Sequence, residues 1–133
     1  MIERQHVLAK RPWASLIAYS RAVRVGNLIE VGGTSSTGAD GRVIYPNEAY
    51  KQTKYVLGVI ADALAEVGSS LRDVVRTRVF LTDIGQWEQV GRAHGEVFLG
   101  IDPVSTFVEV PRLMLPGLVV EIEAVALVGE SWK

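Results

Sequence analysis

Two acidic side chains in the last apolar stretch of the chain are the residues best placed to do chemistry. Glu121 and Glu123 alternate with apolar residues in a pattern that predicts a partly buried strand. A carboxylate in such a place can orient a water molecule or take its proton. The alternative is an ion pair with an arginine of a neighbouring chain, because acids are rarely buried unpaired. Both interpretations stay open for Glu121, the best catalytic candidate, whereas the ion pair is favoured for Glu123.

A segment rich in glycine and hydroxyl side chains, residues 32–38, is the second candidate for ligand contact. Gly32 and Gly33 end an apolar run, and Thr34 begins a loop of small polar residues. The segment lacks the GxxxxGK[ST] phosphate pattern, and the next predicted helix begins well after Gly38. It therefore forms no amide cradle at a helix N-terminus. We interpret it as a ligand-facing or plain surface loop.

The histidine and cysteine content limits the other kinds of site. The chain has two histidines and no cysteine, which excludes disulfides, thiolate metal sites and a cysteine nucleophile. Without a suitable acidic cluster the two histidines predict no metal site, and no other cofactor is expected. His94 lies on the apolar stripe of a predicted helix, where hydrogen-bonded packing is favoured over proton shuttling. Neither a nucleophile elbow nor a Ser-His-Asp order is present.

Turn residues and apolar periodicity divide the chain into strands and two helices. Residues 20–33 alternate around a turn at Gly26, which predicts a hairpin. Apolar residues in 50–67 recur at three- and four-residue spacing, which predicts a helix with Asn47 as N-cap and Gly68 just past its end. The other predicted elements are a strand over 74–81, a weaker helix over 84–98, and strands over 106–110 and 119–128.

The composition is that of one globular domain. The chain has 133 residues, is 48% hydrophobic and has a net charge of −1, which suits a single domain over 1–133. No basic face is clustered enough to predict nucleic-acid binding, and Lys10 and Arg11 are interpreted as solvated or salt-paired. Residues 1–6 contain no apolar signal-peptide core, and no stretch is long enough to span a membrane. We expect a cytoplasmic protein without a membrane partner.

The last predicted strand also predicts an oligomer. Its even positions are apolar, while its odd positions begin with Glu121 and Glu123 and continue into Val125 and Leu127. Two helices can cover only one face of a sheet, so the other apolar face needs a different cover. A second copy of the same chain is the economical answer. We therefore predict a homo-oligomer with the two acids at the edge of a subunit interface.

Five ordered motifs add a resemblance to a known family. They are YSRAVRVGN at 19–27, VGG at 31–33, VFLTD at 79–83, TFVEVPRL at 106–113 and VEIEAVA at 120–126. Together they resemble the Rid family, which is also known as YjgF-type or endoribonuclease L-PSP. The resemblance implies an α+β, chorismate-mutase-like fold, in which a mixed sheet carries two helices on one face. It also implies a homotrimer with a central barrel and small-molecule sites in clefts between subunits.

The resemblance implies hydrolysis of imines or enamines to 2-keto acids and ammonia. In that reaction an arginine holds the substrate carboxylate and an acid positions a water molecule. Tyr19 and Glu121 match the family's tyrosine and its water-orienting acid. For Tyr19, contact with the ligand and a purely structural place in the pocket wall both stay open. Three other family positions differ here: the serine at the end of the second strand is Gly32, the helix asparagine is Gly91 and the penultimate-strand cysteine is Phe107.

The family's arginine is also missing, because Ser105 stands in its place. A serine donates one neutral hydrogen bond of ~1 kcal/mol, against ~2–3 kcal/mol for a charged one. A cleft with Phe107 and no arginine suits a larger or less anionic ligand. Arg112 is a candidate replacement cation, although an inter-subunit ion pair is favoured there. Further candidates, each favoured as a surface residue, are Arg21, Arg24 and Arg92. The expected substrate-binding residues are Gly32, Gly33, Thr34, Ser105, Phe107 and Arg112.

Three functions are compatible with these residues. The leading hypothesis is a hydrolytic deaminase of an imine, enamine or related amino-substituted metabolite, with Glu121 and Tyr19 as its catalytic residues. The second is a non-catalytic small-molecule-binding trimer, which the changes at the family positions motivate. RNA cleavage, suggested by the family's older name, is disfavoured by the balanced charge. The residues do not identify a natural substrate.

Overall fold

A six-stranded mixed sheet forms the frame of the protein. The computed structural model describes residues 3–129, so both ends of the predicted domain, residues 1–2 and 130–133, lie outside the described residues. The described elements are β1 (Arg4–Leu8), α1 (Ala14–Ile17), β2 (Ser20–Val25), β3 (Leu28–Ser35), α2 (Ala49–Glu66), β4 (Val74–Leu81), α3 (Trp87–Phe98), β5 (Val104–Glu109) and β6 (Val120–Leu127), with 3-10 turns at Leu71–Asp73 and Ile84–Gln86.

The sheet order brings together strands that are distant in sequence. The order is β1-β2-β3-β6-β4-β5, in which β4 and β5 are parallel and the other neighbours are antiparallel. α3 connects β4 to β5, because parallel neighbours need a crossover connection rather than a tight turn. α2 packs on β3 and β6 and beside α3. The predicted α+β fold, a mixed sheet with two helices on one face, is confirmed.

β2 and β3 form the predicted hairpin. Val25 pairs with Leu28, and the intervening Gly26 has a φ of 60°. Glycine adopts this left-handed conformation without the steric cost that other residues meet. The two-residue turn therefore fixes the register of the hairpin, as its sequence predicts.

α2 supplies the helical side of the core through its predicted apolar stripe. Leu57, Ile60 and Leu64 are at most 1% exposed. Gly68 follows the helix with a φ of 79°, in agreement with the predicted left-handed end. Arg24, which the sequence favours as a surface residue, is half-buried and donates a 2.6 Å hydrogen bond to the carbonyl oxygen of Val67 at this helix end.

The predicted start of α2 is wrong. The helix begins at Ala49, and Glu48 precedes it without a capping hydrogen bond from its side chain. Asn47, the predicted N-cap, has a φ of 63°. Asparagine tolerates this left-handed conformation better than most residues do, so Asn47 serves a turn before the helix and does not cap it.

α3 follows its weaker predicted stripe only in part. Val90 and Phe98 are buried, and His94 is half-buried. Ile84 and Trp87 are 41% and 54% exposed, respectively. Ile84 belongs to the 3-10 turn before the helix, and Trp87 is its first residue. The helical period therefore does not extend to these two side chains.

β4 departs from the predicted alternation at its beginning. Thr77, Val79 and Leu81 are buried as expected, whereas Val75 is 43% exposed and Val74 is buried. The register against β6 shifts between Val74 and Arg76. A bulge of this kind reverses the direction of side chains along a strand.

The two faces of β6 differ as the sequence predicts. The even positions are at most 1% exposed on the face where the helices pack: Val120, Ile122, Ala124 and Ala126. On the opposite face Val125 is half-buried and Leu127 is 41% exposed. Apolar side chains of the sheet thus remain accessible within one chain.

Two elements have no counterpart in the sequence prediction. β1 is an edge strand in which only Val7 is buried, so it has little apolar alternation to detect. α1 spans only Ala14–Ile17, and its Leu16 is 88% exposed. Among residues 3–129, no helix has the length and apolar character required to cross a membrane.

Candidate active site

Glu121 lies near the start of β6, on the face opposite the helices. It pairs with Ser35 of β3 and Phe80 of β4, and its side chain is half-buried. Burial is the main factor that raises the pKa of Glu121 above its ordinary value, and the Glu123 carboxylate raises it further. The Arg21 guanidinium lowers the pKa of the same carboxyl. A carboxylate with a raised pKa is a stronger base than an exposed one.

Gly33 provides the space that the Glu121 carboxylate occupies. A Cβ atom at Gly33 would lie 2.4 Å from Glu121 Oε2, much closer than atoms can approach. At the neighbouring Gly32 the nearest atom to such a Cβ is the Arg21 carbonyl oxygen at 3.7 Å, an ordinary contact. The two glycines form a bulge in β3, opposite the single Glu123 of β6.

Arg21 fixes this bulge from within the protein. It is only 6% exposed, and its NH1 donates to the Gly33 carbonyl oxygen at 3.2 Å and to Thr34 Oγ1 at 3.3 Å. The fully buried Thr34 in turn donates to the Gly32 carbonyl oxygen at 2.8 Å. The interpretation of Arg21 as a surface residue is therefore wrong, because its buried guanidinium donates to one carbonyl oxygen of the bulge and to the hydroxyl that bonds the other.

Tyr19 lies beside the same guanidinium. Its hydroxyl oxygen accepts a 2.9 Å hydrogen bond from Trp13 Nε1. Burial is the main factor that lowers the pKa of Arg21, and Tyr19 and Glu121 act against it. One chain therefore brings five of the residues predicted from sequence into one group: Tyr19, Gly32, Gly33, Thr34 and Glu121.

Apolar side chains border this group. A depression of about 390 Å³ is lined by Tyr19 together with Leu8, Ala14 and Ala18. Arg11 holds the adjacent loop, because its Nε donates to Thr37 Oγ1 at 3.0 Å. Arg11 was interpreted as solvated or salt-paired from sequence, but it binds a hydroxyl and backbone carbonyl groups.

Ser105 is separated from the Glu121 group within the chain. It pairs with Thr77 of β4, which in turn pairs with Ala124 of β6. Ala124 lies three positions beyond Glu121, so Ser105 and Glu121 are on opposite faces of the sheet. Ser105 Oγ hydrogen-bonds Thr77 Oγ1 at 2.7 Å, and Thr77 Oγ1 hydrogen-bonds His94 Nε2 at 2.9 Å.

Phe107 and Arg112 are likewise outside the Glu121 group. Phe107 packs against the core, and its ring centroid lies 5.9 Å from that of His94. Arg112 is exposed in the segment between β5 and β6, where it lines a depression with Asn47 and Thr82. Gly91, the position of the family's asparagine, lies on α3 near Trp87. These side chains do not reach Glu121 within one chain.

Glu123 has a partner in its own chain. Its Oε1 lies 3.5 Å from Arg78 NH1 on the neighbouring strand. The favoured ion pair is therefore present, but between two strands of one sheet. Both side chains are partly exposed, so this pair contributes at most about 1 kcal/mol. Within residues 3–129, no three His, Asp or Glu side chains converge in a way that would hold a metal ion.

Comparison with known proteins gives a consistent assignment. The family model described as Endoribonuclease L-PSP matches residues 9–128. The 3-aminoacrylate deaminase RutC of Acinetobacter baylyi is 30% identical over 111 residues, which cover 84% of this chain and 87% of that protein.

Solved structures agree with the sequence comparison. Rv2704 of Mycobacterium tuberculosis, described as a member of the YjgF/YER057c/UK114 family, superimposes with a TM-score of 0.86 at 43% identity. The match covers 95% of this chain and all of that one. YyfA of Yersinia pestis, described as a Rid-family protein of unknown function, gives 0.83 at 30% identity, with 95% and 100% coverage.

Proposed function

Because the chain belongs to the Endoribonuclease L-PSP (YjgF, Rid) family, we propose that it is a hydrolytic deaminase of an imine, an enamine or a related amino-substituted small metabolite. The observation that supports this most directly is the Glu121 carboxylate, which lies against Gly33 and beside the buried Arg21. The raised pKa of Glu121 suits a group that must accept a proton from water.

In the proposed reaction Glu121 takes a proton from a water molecule while the oxygen of that water forms a bond to the imine carbon. The C=N electron pair moves to nitrogen, which receives that proton from Glu121. The hydroxyl proton of the resulting carbinolamine then passes through Glu121 to nitrogen, and ammonia leaves as the C–N bond breaks and a carbonyl group forms. An enamine enters the same sequence after protonation at carbon. The protein needs to position one water molecule and to exclude others, and both tasks are geometric.

The proposed site is completed by a second subunit of a homotrimer. Two observations support this: Ser105, Phe107 and Arg112 do not reach Glu121 within one chain, and apolar side chains of β6 are uncovered. In the proposed assembly, Tyr19 and Glu121 of one subunit face the Ser105 side of its neighbour across a cleft. The uncovered sheet faces then pack together at the centre.

The proposed cleft differs in its lining from the one that the family resemblance implies. Phe107 stands at the position of the family's cysteine and packs against the core. The depression beside Tyr19 is lined by Leu8, Ala14 and Ala18 together with the polar side chains of Lys10, Ser15 and Ser20. No permanent cation stands at Ser105. For RNA as a substrate, the net charge of −1 offers no positive excess.

The test is ammonia release from 2-iminobutyrate, 3-aminoacrylate and a 2-aminomuconate-type substrate. We expect wild-type protein to act on at least one of them, and Glu121→Gln to lower kcat by about 10²- to 10⁴-fold, the usual contribution of a general base. Glu123→Gln is the matched control on the same face, and we expect it to retain most of the activity. No rate above buffer with any substrate would refute the deaminase. Saturable binding without turnover would instead favour the non-catalytic binding trimer.

A further inference from the structure

A chain of three hydrogen-bonding groups leads from the helical layer to the edge of the sheet. His94 Nε2 lies 2.9 Å from Thr77 Oγ1, which lies 2.7 Å from Ser105 Oγ. Thr77 is fully buried, His94 is half-buried and Ser105 is exposed on the edge strand β5. A titratable ring inside the protein is thus connected to the surface through two hydroxyl groups.

The position of Thr77 is unusual for a side chain whose only task is packing. The next buried positions of β4 are Val79 and Leu81, at most 1% exposed. A valine would have the shape of threonine at position 77, whereas a buried hydroxyl is costly unless it is bonded. Thr77 bonds on both sides, to His94 and to Ser105. A single partner would have satisfied the hydroxyl.

The ring of His94 lies in an aromatic setting. Its centroid is 4.6 Å from that of Phe98 and 5.9 Å from that of Phe107. Burial lowers the pKa of His94, and no charged group contributes to the shift. Within residues 3–129, every buried side-chain nitrogen has a hydrogen-bond partner. The Nδ1 atom of His94 has no partner in this part of the chain, so it is not one of the buried nitrogens. Nδ1 therefore touches solvent, where it can exchange a proton.

The charged groups on the surrounding elements are engaged elsewhere. On α3, Glu96 accepts from Tyr50 of α2 and Arg92 stacks on the same ring at 4.5 Å. On β5, Glu109 accepts from the amide of Ile84 at 2.9 Å. On β4, the arginines that flank Thr77, Arg76 and Arg78, lie on the other face of the sheet, because strand side chains alternate.

We propose that His94, Thr77 and Ser105 form a binding site for a ligand carboxylate that takes up a proton when the ligand binds. The chemistry is directional. With neutral His94, the two hydroxyl protons can point either way along the chain. With the imidazolium, Nε2–H donates to Thr77, Thr77 donates to Ser105, and the Ser105 hydroxyl must donate outward. The carboxylate at Ser105 accepts that bond and attracts the positive charge behind it.

This inference deepens the proposed function and rests on it for the ligand class, an imino acid or its keto-acid product. Binding and protonation are reciprocal. A carboxylate at Ser105 raises the pKa of His94, and acid conditions strengthen carboxylate binding. For each unit by which the ligand raises that pKa, the protonated form binds about tenfold more tightly than the neutral one. The bound carboxylate therefore favours the imidazolium form of His94, which the empty site does not.

The probe is 2-oxobutyrate, the stable product of 2-iminobutyrate hydrolysis, with its neutral amide as the comparison ligand. Calorimetric Kd values are measured from about pH 8 to about pH 5, the range in which histidine titrates. We expect 2-oxobutyrate to bind several-fold to tenfold more tightly at the acid end, and the amide to show no such trend. In parallel, NMR of the histidine rings gives the pKa of His94 with and without the probe.

Three variants test the chain of bonds separately. His94→Gln keeps a hydrogen-bonding end but cannot titrate, Thr77→Val keeps the shape but breaks the connection, and Ser105→Ala removes the outward donor. Each is expected to abolish the pH dependence of 2-oxobutyrate binding. His6→Gln is the matched control, because His6 Nδ1 also bonds a serine, Ser20, at 2.8 Å, but on the exposed strand β1.

The outcomes separate this site from the proposed reaction. Three results would overturn the relay, by which we mean the hydrogen-bonded chain His94–Thr77–Ser105. They are a His94 pKa that stays unchanged at saturating probe, a pH trend that persists in His94→Gln, and the absence of probe binding at any pH. Thr77→Val is scored only where circular dichroism matches wild type, and Ser105→Ala provides the same test at an exposed position. A protein that binds 2-oxobutyrate in this manner but releases no ammonia contradicts the deaminase and leaves the relay in place. An enzyme that releases ammonia but binds 2-oxobutyrate equally well at every pH supports the deaminase and overturns the proposed proton uptake at His94.

Discussion

Gly33 sets the position of the Glu121 carboxylate at the scale of single atoms. In Gly33→Ala the new Cβ would lie 2.4 Å from Oε2, so the carboxylate must move. Because the displaced atom is the end of a flexible side chain, we expect stability to change by less than about 1 kcal/mol. We expect deaminase kcat to fall by about 10²-fold, the usual effect of such a misplacement. Gly32→Ala, with its nearest contact at 3.7 Å, is the control and should remain active.

Arg21 tunes the same carboxylate. Arg21→Gln removes the cation that lowers the pKa of Glu121, so this pKa should rise further. Since the base must be deprotonated to act, the rising limb of the kcat profile should shift to higher pH. An NMR titration of the Glu121 carboxyl carbon measures the same shift without turnover. Arg24→Gln, on the same strand but bonded to Val67, should leave the titration unchanged. A titration curve that is identical in Arg21→Gln and wild type would contradict this role.

Residue patterns predicted the acid but not its surroundings. Glu121 stands out because strand alternation places a carboxylate among apolar neighbours. The sequence favours a surface position for Arg21, but the side chain is buried because of the bulge at Gly32 and Gly33, which is a register shift between distant strands. His94 was interpreted as a hydrogen-bonded packing residue, and its bond to Thr77 agrees with that. Its link to Ser105 requires the pairing of β4 with β5, which one strand's sequence does not reveal.

At the scale of elements, Gln52 connects α2 to the segment before β6. This fully buried side chain donates to the carbonyl oxygens of Tyr45 and Gly117 and accepts from the amide of Val119. Gln52→Leu leaves the amide of Val119 without its partner, whereas the carbonyl oxygens of Tyr45 and Gly117 keep their bonds from the amides of Glu48 and Asn47. We expect a loss of about 1–3 kcal/mol, the cost of one unpaired group that folding removes from water.

Urea unfolding measures this loss. The exposed Gln89→Leu on α3 is the control and should change the free energy of unfolding by about 0.5 kcal/mol or less. Equal effects of the two substitutions would show that Gln52 does not secure the segment. The sequence predicted α2 through its apolar stripe, but a buried glutamine on the flank of that stripe is invisible to a hydrophobic period.

The errors among elements have a common physical origin. The β1 strand lies at the sheet edge with only one buried side chain, so no alternation marks it. Asn47 has the residue type of an N-cap but adopts a left-handed turn conformation two positions before the helix. Val75 is apolar yet exposed because the register shifts beside it. In each case contacts made by distant residues override a local preference.

At the scale of the whole molecule, the uncovered face of β6 supports the proposed trimer. Val125 is half-buried on this face, beside the 41% exposed Leu127. Val125→Glu adds a charge to this face, and we expect light scattering to report a lower molecular mass than that of the trimer proposed for the wild type. Circular dichroism should be unchanged, because the side chain points away from the helices. Leu99→Glu, at a position 85% exposed, should remain trimeric. A monomeric wild type would contradict the assembly itself.

The separation of the two polar groups within each chain has a consequence for how such a protein changes over generations. The hydrogen bonds around Glu121 and those around Ser105 share no residue. A substitution at Ser105, where we propose that the ligand carboxylate binds, therefore leaves the packing of the acid undisturbed. Substrate specificity can therefore change during evolution while the catalytic acid keeps its position. A substitution that changes specificity does not require a second, compensating mutation.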